Sequence, residues 1–124
     1  MLECAGMLAG APSIARTLAS YRYNFEDELD LQNGIAAALS SNLLSYEKEY
    51  RLGEHDRPDF FLPSIGLVIE VKVKFRRAEV LRQLLRYAGY PEVKSLLLVT
   101  SRSCHGVPDS LNSKPALVLN VGRL

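Results

Sequence analysis

The sequence predicts a single α/β domain in which a mixed sheet is flanked by helices. Segments with helical apolar spacing alternate with short runs of strand-forming residues bounded by turn residues. The order of these segments, counted from Asn24, is helix, three strands, helix, strand, strand. No repeat, low-complexity run or long Pro/Gly/Ser linker divides the 124 residues, a length that suits one domain burying about two-thirds of its unfolded surface.

Residues 1–23 are expected as an N-terminal extension, with a short helix over Pro12 to Tyr23 suggested by Ile14, Leu18 and Tyr21. The domain proper is expected over 24–124. Asn24 can cap its first helix, with Glu26, Asp27 and Glu28 in the first turn, where negative charge suits the helix dipole. Leu31, Ile35, Ala38 and Leu39 form the apolar stripe of that helix. Asn33-Gly34 is also a hairpin signal, but the Ala- and Leu-rich run after it favours a helix that tolerates Gly34 at about 1 kcal/mol.

Strands are expected at Tyr46 to Leu52, Arg57 to Leu62 and Leu67 to Val73, punctuated by Gly53, Pro58, Pro63 and Gly66. Arg76 to Ala88 is strongly periodic, with Leu81, Leu84, Leu85 and Ala88 inward and Gly89 and Pro91 ending the helix. "VKSLLLVTS" reads as a fully buried strand and "PALVLNV" as another.

Cys4 and Cys104 lie far apart without zinc-ligand spacing, which favours free thiols in a reducing compartment. Met1 to Ala15 is apolar but carries Glu3, lacks a basic start and meets Arg16 before a membrane-spanning length is reached. A cytoplasmic protein with no membrane partner is expected, whether in a bacterial cell, in a virus or in its host. Met1 to Glu70 carries eleven acids against five bases, whereas Val71 to Arg102 carries eight bases against two acids. An acidic cluster followed by a basic one is what a metal site beside a phosphate-binding surface requires.

The chemistry concentrates in "RPDFFLPSIGLVIEVKVK", where Asp59, Glu70 and Lys72 interrupt apolar strands. Buried charges must be paired or hydrated. Residues two apart on a strand share a face, about 6 to 7 Å apart, so Glu70 and Lys72 point together while Ile69, Val71 and Val73 point away. Antiparallel pairing with the preceding strand would set the Asp59 carboxylate beside that of Glu70. Two carboxylates suit a hard divalent cation such as Mg²⁺, and an ammonium beside them can hold an attacking water or stabilise charge on a phosphate. Asp56 is the competing acid in the same turn, but Asp59 begins the apolar run.

"PD" at Pro58-Asp59 and "EVK" at Glu70-Val71-Lys72 resemble the signature of the PD-(D/E)XK nuclease superfamily. The resemblance extends over about Asn24 to Arg102 and implies a restriction-endonuclease-like core of helix, three strands, helix and strand. It implies an acid on the first helix, Glu28 or else Glu26. It is similar to RecB-like members in "QLLRY", where Gln83 and Tyr87 match a Gln-x-x-x-Tyr motif and lie on one helix face. Virus-type replication-repair nucleases and Holliday-junction resolvases are further similar branches.

The activity so implied is metal-dependent DNA endonuclease chemistry, serving repair, recombination or phage DNA processing. Asp59, Glu70 and the carbonyl of Val71 would bind Mg²⁺, with Mn²⁺ as a substitute. Lys72 would position the water, and Glu28 would act as an outer ligand. Lys74, Arg76, Arg77 and Arg86 are the expected DNA contacts, although Arg86, with Glu79 and Arg82, equally suits a solvated helix face. A homodimer is expected, because cutting both strands needs two sites. The alternatives are a catalytically weak DNA-binding or assembly protein on the same fold, and an RNA nuclease.

Overall fold

The computed structural model describes residues 10–122, so Cys4 and most of the apolar start lie outside the described residues. Among the described residues three helices and six strands form a mixed α/β fold. Helix α1 spans Ala11–Ala19 and α2 spans Glu28–Ser41. Strands β1 (Glu47–Lys48), β2 (Phe60–Leu62) and β3 (Leu67–Lys72) follow. After α3 (Arg77–Ala88) come β4 (Ser95–Thr100), β5 (Ser110–Leu111) and β6 (Lys114–Asn120). No helix among the described residues is long and apolar enough to cross a membrane.

The sheet order is β1-β2-β3-β4-β6-β5. The first three strands pair antiparallel, β3, β4 and β6 run parallel, and β5 folds back on β6. Because side chains alternate across a strand, β3 and β4 bury both faces. Ile69, Val71, Leu97 and Val99 meet Ile14, Leu18, Leu31 and Ile35 of α1 and α2. On the other side Val68, Leu96 and Leu98 meet Val80, Leu84 and Tyr87 of α3. The segment expected as an N-terminal extension therefore contributes α1 to the core.

Three local expectations are corrected. The N-cap of α2 is Asp27, whose Oδ1 accepts the Asp30 N–H at 2.9 Å, while Asp30 Oδ2 accepts the Glu26 N–H at 3.2 Å. Asp27 thus satisfies the orphan N–H of Asp30, and the cap falls three residues after the expected Asn24. The buried face of α3 is Val80, Leu84, Tyr87 and Ala88, and Leu85 is exposed. Turning the helix this way brings Tyr87 under the sheet. The first strand shrinks from Tyr46–Leu52 to two residues, because Glu49 takes φ 50° and the chain leaves the sheet there.

The short strand β5 was not expected. It is made by a tight turn with Asn112 and Ser113 at φ 52° and 66°, a left-handed pair suited to hairpins. Gly34 sits inside α2 for a packing reason: a Cβ there would lie 2.8 Å from Cδ1 of the buried Tyr23 ring.

Candidate active site

The β2/β3 register pairs Leu62 with Leu67, Phe61 with Val68 and Phe60 with Ile69, and there the ladder stops. One step further, Asp59 faces Glu70, and a second step puts Pro58 opposite Val71. Proline has no N–H to donate, and the place of its carbonyl as acceptor is taken by a side chain: Asp59 Oδ2 accepts the Val71 N–H at 2.7 Å. In an extended strand the N–H and C=O of one residue face the same neighbour. The Val71 carbonyl thus turns toward Asp59, where no proline N–H can meet it. This is a local reason for the Pro-Asp pair.

Alternation places Asp59 on the face of Phe61 and Glu70 on the face of Val68, the α3 side in both cases. Glu70 is 3% exposed. Its Oε1 accepts the Asp59 N–H at 3.1 Å and the Tyr87 O–H at 3.4 Å, and its Oε2 lies 3.3 Å from Lys72 Nζ. Gln83 Nε2 donates to the Tyr87 hydroxyl at 2.8 Å, so the i, i+4 pair on α3 acts as a relay that orients Glu70. Glu28, at the first turn of α2, reaches the site from the opposite face of the sheet: its Oε1 accepts the Val73 N–H at 3.4 Å. Glu26 is exposed and stays with the α2 cap through its N–H.

Burial pushes the Asp59 carboxyl up to about 6, with Glu28 and Glu49 adding to the rise against the Val71 hydrogen bond and Lys72. Burial and then the Asp59 charge push Glu70 up to about 7, against Lys72 and the Asp59 N–H. The two titrate as a pair. Burial, followed by Glu70 and Asp59, raises Tyr87, which therefore remains a neutral donor.

Among the described residues no three His, Cys, Asp or Glu side chains gather at one point. The donors that do gather are two desolvated carboxylates and the open Val71 carbonyl, an all-oxygen set with excess negative charge. Such a set fits a hard cation that keeps several waters, and Mg²⁺ is commonly held by one or two carboxylates.

Beside the carboxylates opens a cleft of about 390 Å³ lined by Glu28, Lys72, Lys74, Arg76, Arg82, Gln83 and Arg86, among others. Lys74 and Arg76 are exposed at its mouth. Arg77, expected with them, faces away from this cleft toward the loop after β4, where Nη1 donates to the His105 carbonyl at 3.4 Å. Arg86 lines the cleft but commits its Nε to Asp56 Oδ1 at 3.0 Å. Asp56 also accepts the Tyr90 O–H at 2.7 Å. The competing acid is thus absorbed in a separate network, and Asp59 is the acid beside Glu70. Arg102 and Phe75, which the sequence reading left out of the site, stand at the edge of this region. They sit beyond the carboxyl ends of the parallel strands β3 and β4, where ligands bind in open α/β sheets, and the order of segments along the chain carries no signal of that parallel pairing.

Comparison with family models, with curated proteins and with solved structures gives no match.

Proposed function

We propose that this chain is a metal-dependent nuclease of the PD-(D/E)XK type that hydrolyses DNA phosphodiesters. The observation that carries the reading is the meeting of Asp59 and Glu70 at the splayed end of β2 and β3, with Lys72 Nζ 3.3 Å from Glu70, beside a basic cleft. The run α2, β1 to β3, α3, β4, antiparallel first and parallel after the helix, supports a restriction-endonuclease-like core. Lysine and arginine at the cleft mouth supply the phosphate-positioning charge that nucleic-acid binding needs.

Asp59, Glu70 and the Val71 carbonyl would hold Mg²⁺ or Mn²⁺. When bound, the cation supplies Lewis acidity toward the phosphoryl oxygen and lowers the pKa of water. The protein's own groups do the rest. Tyr87, fixed by Gln83, donates to Glu70 and keeps its carboxylate aimed. Lys72 stands at the cleft wall, where its ammonium can hold the attacking water and meet charge developing on the phosphate. Glu28 sits farther off, in reach of the site only through water. Lys74 and Arg76 hold the strand by its phosphates.

The test is cleavage of labelled DNA and of labelled RNA in Mg²⁺, in Mn²⁺ and in chelator, with Lys72→Met as control. DNA cleavage that needs the cation and is lost in Lys72→Met is the expected result. RNA cleavage alone would reassign the substrate. Retention of DNA in chelator with no cutting under any condition would make the chain a binding protein.

A further inference from the structure

We propose that a second pocket, on the far side of Phe75 from the cleft, grips a further backbone phosphate of the bound strand through Arg77 and Arg102. This rests on the nuclease reading above. Strands β3 and β4 run parallel in register, Lys72 beside Thr100, so the segments that follow them leave the sheet at the same edge. The two segments tie together there. Arg102 Nη2 donates to the Phe75 carbonyl, and the Arg102 guanidinium lies 4.6 Å from the centre of the Phe75 ring. From the other side, Arg77 Nη1 donates to the His105 carbonyl at 3.4 Å.

Between these segments lies a cavity of about 540 Å³ whose wall includes Phe75, Arg77, Arg102, Ser103 and His105 and no carboxylate. Gly106, at φ +86°, lines it too, and a Cβ there would occupy the place of the Arg77 guanidinium. The glycine therefore leaves the arginine its seat. Neither arginine is in an ion pair among the described residues, whose ion pairs are Lys72 with Glu70 and Arg86 with Asp56. A guanidinium carries five N–H donors in a fork that matches phosphate oxygens. Each arginine has one donor committed to a carbonyl, which holds the fork in place and leaves the remainder free. Two preoriented guanidiniums with no acid beside them make an anion site.

The occupant is a strand rather than a free anion because of where the pocket lies. Phe75 lines both this cavity and the cleft. Lys72 and Arg77 are five residues apart in sequence, so their Cα atoms are separated by at most about 17 Å. At about 3.4 Å of rise per phosphate along one strand, a phosphate within about five nucleotides of the one at Lys72 reaches the second pocket. A polyanion crossing Phe75 would engage both.

The experiment measures binding by fluorescence anisotropy in Ca²⁺, across a salt series, with a long single-stranded oligonucleotide and with a dinucleotide too short to span both pockets. Inorganic phosphate serves as competitor. Arg102→Gln removes one fork. Ser103→Glu adds a carboxylate to the cavity at an exposed position, and thermal melts check folding. Both variants should bind the long oligonucleotide several-fold more weakly and bind the dinucleotide like the parent. Arg102→Gln should flatten the log-log salt slope by about 0.7, the value for one lost single-strand contact. Parent-like affinity and slope in both folded variants would overturn the proposal. Equal weakening for dinucleotide, long strand and inorganic phosphate would also overturn it, leaving a small-anion site. A parent that cleaves DNA while the variants bind normally sinks only the second pocket; a parent that neither binds nor cleaves sinks the nuclease reading and this one with it.

Discussion

Asp56 and Glu70 are both buried acids, 7% and 3% exposed, and the protein treats them in opposite ways. Asp56 is surrounded by donors. Its Oδ1 takes the Arg86 Nε and its Oδ2 the Tyr90 O–H, while its backbone carbonyl closes the preceding turn by accepting from Leu52 and Gly53. Burial pushes its carboxyl upward, but the Tyr90 and Arg86 hydrogen bonds outweigh that and hold it below the usual range. Glu70 has a second carboxylate for a neighbour, and burial and Asp59 together outweigh the help from Lys72 and the Asp59 N–H. One acid has been neutralised by its surroundings and the other left in need of positive charge. An undercompensated buried carboxylate pair costs stability unless something binds there, which is the usual mark of a site rather than of a scaffold.

The largest effect should come from removing the cation nearest the undercompensated pair. Lys72→Met is expected to spare DNA binding in Ca²⁺ and to lower single-turnover cleavage by about a hundredfold or more, the scale of losing one preorganised electrostatic group. Lys72→Arg should not rescue it, since a guanidinium offers a different shape and essentially never deprotonates. A folded Lys72→Met protein cutting at the parent rate would end the catalytic assignment of β3.

Stability should separate the two acids next. Asp56→Ala strands the Tyr90 hydroxyl and the half-exposed Arg86, and should destabilise the fold by about 1–3 kcal/mol, the range for losing hydrogen bonds to a charged group. Glu70→Gln in metal-free protein at pH 8 removes a penalised charge and should raise the melting temperature or leave it unchanged. Urea melts compare them, and a drop for Glu70→Gln as large as that for Asp56→Ala would erase the distinction.

The pH dependence has opposite signs at the two places. The folded pKa values of Asp59 and Glu70 lie above the ordinary carboxylate range, at about 6 and about 7. Their contribution to stability is therefore fully present below that ordinary range and is lost as pH rises through 6 to 7. Asp56 is lowered, so its contribution is present above the ordinary range and is lost as the solution turns more acid. Metal-free protein should melt at lower temperature at pH 8 than at pH 5. Mg²⁺ or Mn²⁺ should restore stability at pH 8 and do little at pH 5, where protons compete for the carboxylates. Calorimetry in chelator and in each cation reads this directly, and an absent cation effect at pH 8 would count against the metal site.

The features legible in the sequence were those written in local pattern. Alternation in "GLVIEVKVK" placed Glu70 and Lys72 on one face, and periodicity found α2, α3, β4 and β6 to within a few residues. The pairing of Asp59 with Glu70 followed from a short connection between two strands. Features set by long-range packing were not legible. The rotation of α3 that buries Tyr87 rather than Leu85 depends on the sheet beneath it. The capture of Asp56 by Arg86 and Tyr90 joins residues about thirty positions apart. The convergence of Arg77 and Arg102 depends on β3 and β4 being parallel neighbours, which the order of segments along the chain does not state.

The smallest predicted effect tests the comparison with a single oxygen atom on each side. Tyr90 and Tyr87 each donate an O–H to a buried acid, and a change to phenylalanine removes that donor while keeping the ring. Tyr90→Phe should lower stability measurably, because Asp56 loses a partner that helps hold it ionised, and DNA cleavage should be unaffected. Tyr87→Phe leaves Glu70 its Asp59 N–H and Lys72 contacts, and frees Gln83 Nε2, which points to the cleft and can find water. Its stability cost should be smaller, and cleavage should slow several-fold, because a carboxylate with one fewer fixed donor is less well aimed. Raising the cation concentration should recover part of that rate, since looser aim weakens metal binding before it impairs the chemistry. Denaturant melts and a Mg²⁺ titration on both variants give the ranking. If Tyr90→Phe slowed cleavage as much as Tyr87→Phe, the Asp56 network would belong to the site, and the two acids would no longer differ in kind.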